Sequence, residues 1–218
     1  MQSLLLFPAD VAVKRVRIQA ASSMPLFPVE ALAVRRAALR RRRDFAAGRF
    51  CARLALAELG RESCGIPIGK HGMPIWPEGF VGSITHDSDE ACAAVASGAL
   101  YCSIGMDLTM LGSVTGDLAP LVCADNELER SSDLPCTVDH LSLLFSAKES
   151  IYKCAFPIVQ KFIDFADVVV EWISHDDDCH GTYRAAFVQG QNVWDGSRPI
   201  VGRWAIDKGR IYTSAYYR

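Results

Sequence analysis

Between Leu141 and Ala155 runs an apolar stripe with a lysine inside it. Leu141, Leu144, Ile151 and Ala155 recur at the 3- and 4-residue steps of one helical face, which predicts a buried helix. Lys148 falls within that stripe, where a charge is costly unless it is paired or faces a ligand. Glu149 lies about 100° further round the helix, with Lys153 one turn on at i+4. One reading is a surface Glu–Lys pair, contributing about 0.3–0.5 kcal/mol, beside a lysine that reaches out of the core to water. The other is a ligand-facing cluster, and the rest of the chain decides between them.

The 218 residues are enough for a real core, in one large domain or two small ones. Half are hydrophobic and 22% are charged, the balance of a soluble globular protein rather than a disordered one. The net charge of −2 means that any polyanion must be met by a local patch, and Arg35–Arg43, with six arginines, is one candidate. No recognised nucleic-acid motif accompanies it, which weighs against a nucleic-acid partner. None of the eight cysteines forms a Cys-x-x-Cys pair. The Leu4–Phe7 run is too short for a secretory leader core, so reduced, buried thiols in a cytoplasmic protein are expected. No apolar stretch approaches the roughly 20 residues of a membrane span, so no membrane association is expected.

Taken in order, the chain predicts a strand at 11–18 and then a helix opened by Pro28 and continuing through Ala/Leu/Arg-rich sequence to Leu59. Phe45, Ala52, Leu56 and Leu59 form its apolar stripe. Arg49 and Arg53 interrupt that stripe at i,i+4, either as a phosphate fork or as partners of local carboxylates such as Asp44. A Gly/Pro-rich loop at 65–74 carries Lys70 and His71, and strands follow at 80–86, 91–96 and 100–108. Residues 112–138 read as an irregular, partly acidic cover (Asp125, Glu127, Glu129, Asp133). The Lys148/Glu149 helix starts at Asp139, a suitable cap, and ends near Pro157. Strands are expected at 166–173, 182–188, 200–207 and 210–217. His175–His180 reads as a polar hairpin tip rather than a metal site.

The fold class this predicts is α+β, in two similar pseudo-twofold halves, each a long helix packed on a small antiparallel sheet. Residues 1–110 form the first half and 111–218 the second, with a ligand cleft between them. Such a chain already holds its cleft and is expected to be a monomer.

Five motifs, in order, resemble those of one family. Phe145-Ser146-Ala147-Lys148-Glu149-Ser150-Ile151-Tyr152-Lys153 resembles the (W/F)-(S/C)-x-K-E-(S/A)-x-x-K signature of 4′-phosphopantetheinyl transferases. Gly105-Met106-Asp107-Leu108 resembles their G-(I/V)-D-x-E motif, and Val81-Gly82-Ser83-Ile84-Thr85-His86 their (V/I)-G-S-(I/L)-(S/T)-H segment. Arg42–Arg49 with Cys51-Ala52-Arg53 resembles the basic first helix of the enterobactin-synthetase branch, and Gly69-Lys70 with Met73-Pro74 its G-K-x-G-x-P loop. One such motif is weak; five in order over roughly residues 25–175 are strong.

The resemblance implies an enzyme that moves the 4′-phosphopantetheine arm of coenzyme A onto a serine of an acyl or peptidyl carrier protein, with Mg²⁺ and release of adenosine 3′,5′-bisphosphate. It implies that Asp107 and Glu149 hold the cation, and that Lys148 and Lys153 hold phosphate or pantetheine oxygens. By the same match His86 donates to the pyrophosphate, Ser83 adds to the coenzyme site, and Arg49, Arg53 and Lys70 bind the 3′-phosphate end. Glu149 is the candidate base for the serine proton. The nucleophile belongs to the carrier, which is expected to be acidic around its serine and to meet a basic or apolar rim. The branch leans toward siderophores and other secondary metabolism, polyketide or nonribosomal peptide. One position departs from the pattern: Thr109 stands where the family has a second acid, and Asp87 is a possible outside replacement. That departure keeps an inactive coenzyme A-binding protein of the same fold as an alternative.

Overall fold

Strand pairing sorts this chain into two antiparallel sheets, and one strand changes sides relative to the sequence reading. The computed structural model describes residues 5–218 apart from 22, 125, 126, 132, 133, 136, 137, 189–193, 195 and 197, and apart from the side chain at 176. Asp125, Asp133 and Cys136 therefore lie outside the described residues. Two compact units result, Ala9–Cys102 and Met1–Pro8 with Ser103–Arg218.

The first unit contains β1 (Ala12–Arg17), α1 (Ile18–Ala21), α2 (Pro28–Val34), α3 (Leu39–Glu58), β2 (Phe80–His86) and β3 (Glu90–Ser97). Its sheet runs β1-β3-β2, all antiparallel. The 20-residue α3 lies on that sheet, with Cys51, Ala52 and Leu56 packed against Ala12, Ala93 and Val95. The helix expected from Pro28 to Leu59 is broken at 35–38, where Ala38 is extended (φ −57°, ψ 151°). No glycine or proline marks that break. It follows from Glu30, fully buried on α2, whose carboxylate accepts from the Phe27 and Ile66 amides and from Arg53. These bonds hold α2 against α3 instead of in line with it.

The second unit contains β4 (Ser103–Met110), the short helices α4 (Ala119–Val122) and α5 (Glu127–Arg130), α6 (His140–Val159), β5 (Val168–Asp177), β6 (His180–Phe187), β7 (Val201–Asp207) and β8 (Arg210–Tyr217). Its sheet runs β4-β8-β7-β6-β5. The strand expected to finish the first sheet is thus an edge of the second, and the units divide at Cys102/Ser103 rather than after residue 110. The reason is continuous register: every residue of β4 pairs with β8, from Ser103↔Tyr217 to Met110↔Arg210.

Helix α6 is capped where the sequence indicated, with Asp139 accepting from the Ser142 amide (3.1 Å), and it stops at Gln160 in the left-handed region (φ 51°). Leu144, Ala147, Ile151 and Cys154 are fully buried on the face packed into the second core. Gly105 makes this contact possible. A Cβ there would stand 1.9 Å from the Ser150 carbonyl oxygen and 2.7 Å from the Cys154 nitrogen, both backbone atoms of α6. Gly105→Ala is therefore expected to lift α6 off β4 and cost about 1–3 kcal/mol or more, read as a lower denaturation midpoint in urea.

Among the described residues, no helix is long and apolar enough to cross a membrane. The His175–His180 segment is a hairpin tip, where Asp177 accepts from the Cys179 amide (2.7 Å) and contacts the His180 ring (2.9 Å).

Candidate active site

Alternation along β4 aims Gly105, Asp107 and Thr109 at one face of the sheet, and α6 packs on that face. One helical turn separates Glu149 from Lys153, and Ser146 lies one turn before Ser150, the residue over Gly105. Strand and helix thereby bring together groups 39 and 46 positions apart in sequence. Lys153 Nζ donates to Asp107 Oδ1 at 2.6 Å. Thr109 Oγ1 donates to Asp107 Oδ2 at 2.8 Å, and Ser146 Oγ to the same oxygen at 2.9 Å. Thr213, the cross-strand neighbour of Asp107, donates to the Ser146 carbonyl at 2.7 Å.

The electrostatics separate the two acids. Burial opposes charge on Asp107, but the Lys153 ammonium and the hydroxyls of Thr109 and Ser146 outweigh it and hold the carboxyl below the ordinary aspartate range. Glu149 is half-buried. Its carboxyl is raised, first by desolvation and then by the Asp107 charge, against the pull of Lys153. A carbon-detected NMR titration is expected to show Glu149 titrating above ordinary glutamate and Asp107 below ordinary aspartate. Lys153→Met should move both upward, because the lysine lowers both. The stability that ionised Asp107 contributes is present at neutral pH and is lost only as pH falls through its depressed folded-state value.

The donor set suits a hard cation. Mg²⁺ takes one or two carboxylates and fills its remaining positions with phosphate and water, and Asp107 and Glu149 are close enough to perturb each other. Among the described residues no group of three or more His, Cys, Asp or Glu side chains forms a metal site. The Asp87 carboxylate accepts from the Asp89 and Glu90 amides (2.7 and 2.6 Å) in the β2–β3 turn.

Lys148 is placed differently from expectation. It is 1% exposed, and Nζ donates to Glu127 Oε2 (2.6 Å), to the Val122 carbonyl (2.9 Å) and to the Phe165 carbonyl (2.8 Å). An ammonium has three protons, so all are taken by the protein. Lys148 thereby ties α6 to Glu127 and to the Val122 and Phe165 carbonyls.

The residues of the first unit divide in the same way. Arg53 binds both oxygens of Glu30 (3.1 and 3.0 Å) and the Pro25 carbonyl (3.0 Å), with its guanidinium over the Phe27 ring. Of the two readings of Arg53, the structure shows the carboxylate partner, and it is Glu30 rather than Asp44. Arg49 directs Nε to the Ile66 carbonyl (2.8 Å) and stacks over Phe45, and its two terminal nitrogens have no protein partner among the described residues. Desolvation, opposed by Glu30 and reinforced by Arg41 and Arg53, lowers its pKa to about 10. Lys70 is exposed in a one-turn 3-10 segment, Lys70–Gly72. Ser83 is buried on β2. His86, at the end of β2, has Nε2 at 3.5 Å from Arg41, a neighbour the sequence reading did not single out.

A second feature that the sequence did not announce is a groove of about 250 Å³ lined by Glu149, Tyr152, Phe162, Ile163, Asp164 and Phe165. Phe162 is 75% exposed there, tilted against Tyr152 at 6.1 Å between ring centroids.

Residues 29–96 match the family model of the 4′-phosphopantetheinyl transferase N-terminal domain, and residues 103–205 that of the 4′-phosphopantetheinyl transferase superfamily. The chain is 35% identical over 198 residues to 4′-phosphopantetheinyl transferase Npt of Nocardia iowensis, covering 87% of this chain and 88% of that one. It is 36% identical over 194 residues to 4′-phosphopantetheinyl transferase Svp of Streptomyces mobaraensis (87% and 77%). It is 35% identical over 125 residues to enterobactin synthase component D of Salmonella typhi (55% and 50%). With both of its parts matched and its relatives covered over most of their length, this chain belongs to the 4′-phosphopantetheinyl transferase family of enzymes.

Proposed function

We propose that this chain transfers the 4′-phosphopantetheine arm of coenzyme A to a serine of an acyl or peptidyl carrier protein, with Mg²⁺, releasing adenosine 3′,5′-bisphosphate. The observation that carries this reading is the Asp107–Lys153 pair at 2.6 Å, with Glu149 one helical turn before Lys153 on α6. The carrier serine oxygen bonds to the pantetheine-side phosphorus. The bond from that phosphorus to the bridging oxygen breaks, and the electron pair leaves with adenosine 3′,5′-bisphosphate. Glu149, one helical turn from Lys153, takes the serine proton. Lys153 offers its ammonium to the phosphate oxygens as charge develops on them. Asp107 and Glu149 would hold Mg²⁺, which when bound neutralises phosphate charge.

The groove beside Glu149 supports the same reading. Tyr152, Phe162 and Ile163 give it an apolar lining suited to a long, uncharged amide arm. Arg49 with its terminal nitrogens, Lys70, Ser83 and His86 are assigned to the coenzyme's phosphates by the family resemblance. The resemblance also assigns Lys148 and Arg53 to the coenzyme, but in this fold they are ion-paired with Glu127 and Glu30. The direct test is chromatography of coenzyme A incubated with the chain, Mg²⁺ and an apo carrier protein. Adenosine 3′,5′-bisphosphate should appear only when all are present, and its absence with every carrier class would refute the reading.

A further inference from the structure

A cavity of about 620 Å³ opens in the first unit between α1, the start of α3 and the β2–β3 turn. None of the residues that the resemblance assigns to the coenzyme lines it. Two of its walls are tied together by the Ile18 amide, which donates to the Asp89 carbonyl at 2.8 Å. Ile18 is 6% exposed and packs with Ala47 and Ala91, which makes an apolar floor. Asp44 lines the same cavity and is 8% exposed, yet its carboxylate makes no hydrogen bond or ion pair with any described residue. A carboxylate buried to this degree is ordinarily paired or hydrogen-bonded, so its partner has to come from the cavity. At the mouth, Arg40 and Arg43 are exposed and also make no ion pair with a described residue. Leu39, 60% exposed, completes that rim with an apolar surface.

The order of these charges selects the ligand. An inorganic anion would meet both guanidiniums but would bring negative charge against Asp44. A simple cation would suit Asp44 but would have to pass two arginines. A neutral apolar molecule would leave a buried carboxylate without a partner. A molecule carrying an ammonium and a carboxylate close together satisfies all three side chains, with the ammonium donating to Asp44 and the carboxylate held by the guanidiniums. Arg43 directly precedes Asp44 and Arg40 lies one helical turn before it. The two ligand groups therefore have to sit near each other, as they do on the α-carbon of an amino acid. We propose that this cavity binds a free α-amino acid whose apolar side chain lies against Ile18 and Leu39. The site is built within one unit and takes nothing from the transfer reaction.

The test is isothermal titration calorimetry of the whole chain with L-leucine and L-phenylalanine, their N-acetyl and amide derivatives, and inorganic phosphate. At least one of the free amino acids is expected to bind at millimolar concentration or below. Its N-acetyl derivative lacks the ammonium and its amide lacks the carboxylate. Each should bind about 10–100-fold more weakly, the usual effect of losing a charged hydrogen-bond partner. Asp44→Asn keeps the shape and should erase the difference between the free amino acid and its N-acetyl derivative. Because Asp44 is buried, a second variant combines Arg40→Gln with Arg43→Gln, both exposed and without an ion pair to a described residue. It should melt near wild type, bind coenzyme A as wild type does, and erase the difference between the amino acid and its amide. Failure of both amino acids to bind at millimolar concentration overturns the proposal. An N-acetyl derivative that binds as tightly as the free amino acid, or phosphate that displaces it, overturns it in favour of a simple anion site. Loss of coenzyme A binding in the arginine variant gives the cavity to the coenzyme and overturns it too. Each of these failures leaves the transferase reading where it stands.

Discussion

Replacing Glu149 with glutamine is expected to lower phosphopantetheine transfer by about 10²–10⁴-fold, the range over which a positioned acid or base contributes. Thermal stability should be nearly unchanged. The side chain is half-buried beside the groove, and its carboxyl is already held above the ordinary range by desolvation, so removing its charge relieves a cost instead of creating one. The amide keeps the shape but takes no proton and is a poor partner for a hard cation. The loss should fall chiefly on kcat at saturating Mg²⁺ and coenzyme A, because both proton removal from the carrier serine and the hold on the cation are weakened. A variant with full kcat would remove Glu149 from the chemistry.

The second large effect is on stability. Glu127 and Lys148 are 0% and 1% exposed and meet at 2.6 Å. The glutamate also accepts from the Ala124 amide (2.8 Å) and the Val170 amide (2.7 Å), so one carboxylate ties α6, β5 and the segment leading into α5. Glu127→Ala leaves a buried ammonium without its counter-charge and is expected to cost about 3–5 kcal/mol. That is a large part of the 5–15 kcal/mol that typically holds a domain folded. A urea titration should show a lower midpoint with the slope conserved. Lys148→Met with Glu127→Leu should recover part of the loss, though not all, since the two amides and the Val122 and Phe165 carbonyls lose their partners. The same experiment decides the role of Lys148. A structural lysine loses stability on substitution and leaves KM for coenzyme A unchanged in the folded fraction, whereas a ligand-binding lysine does the reverse.

Much of the site was legible because it rests on local periodicity. The apolar stripe from Leu141 to Ala155, the Asp139 cap and the alternation that puts Asp107 and Thr109 on one face are all written in spacing. What spacing cannot supply is the identity of partners distant in sequence. The lysine inside the stripe demanded a counter-charge or a ligand, and the answer, Glu127, lies 21 positions upstream in an aperiodic segment. Arg53 posed the same question and found Glu30 rather than Asp44. The transfer of β4 to the second sheet depends on its pairing with β8, 100 or more residues away, which no local pattern announces. Thr109 stood out as a departure, yet its hydrogen bond to Asp107, beside that of Ser146, appeared only in the fold.

Intact-mass spectrometry of an apo carrier protein, incubated with this chain, coenzyme A and Mg²⁺, tests the central claim most directly. The account predicts a mass gain of one phosphopantetheine on the carrier, abolished by chelator, by Glu149→Gln and by replacing the acceptor serine with alanine. An unchanged carrier mass across fatty-acid, polyketide and nonribosomal-peptide carriers, from a chain that nevertheless binds coenzyme A, would contradict it.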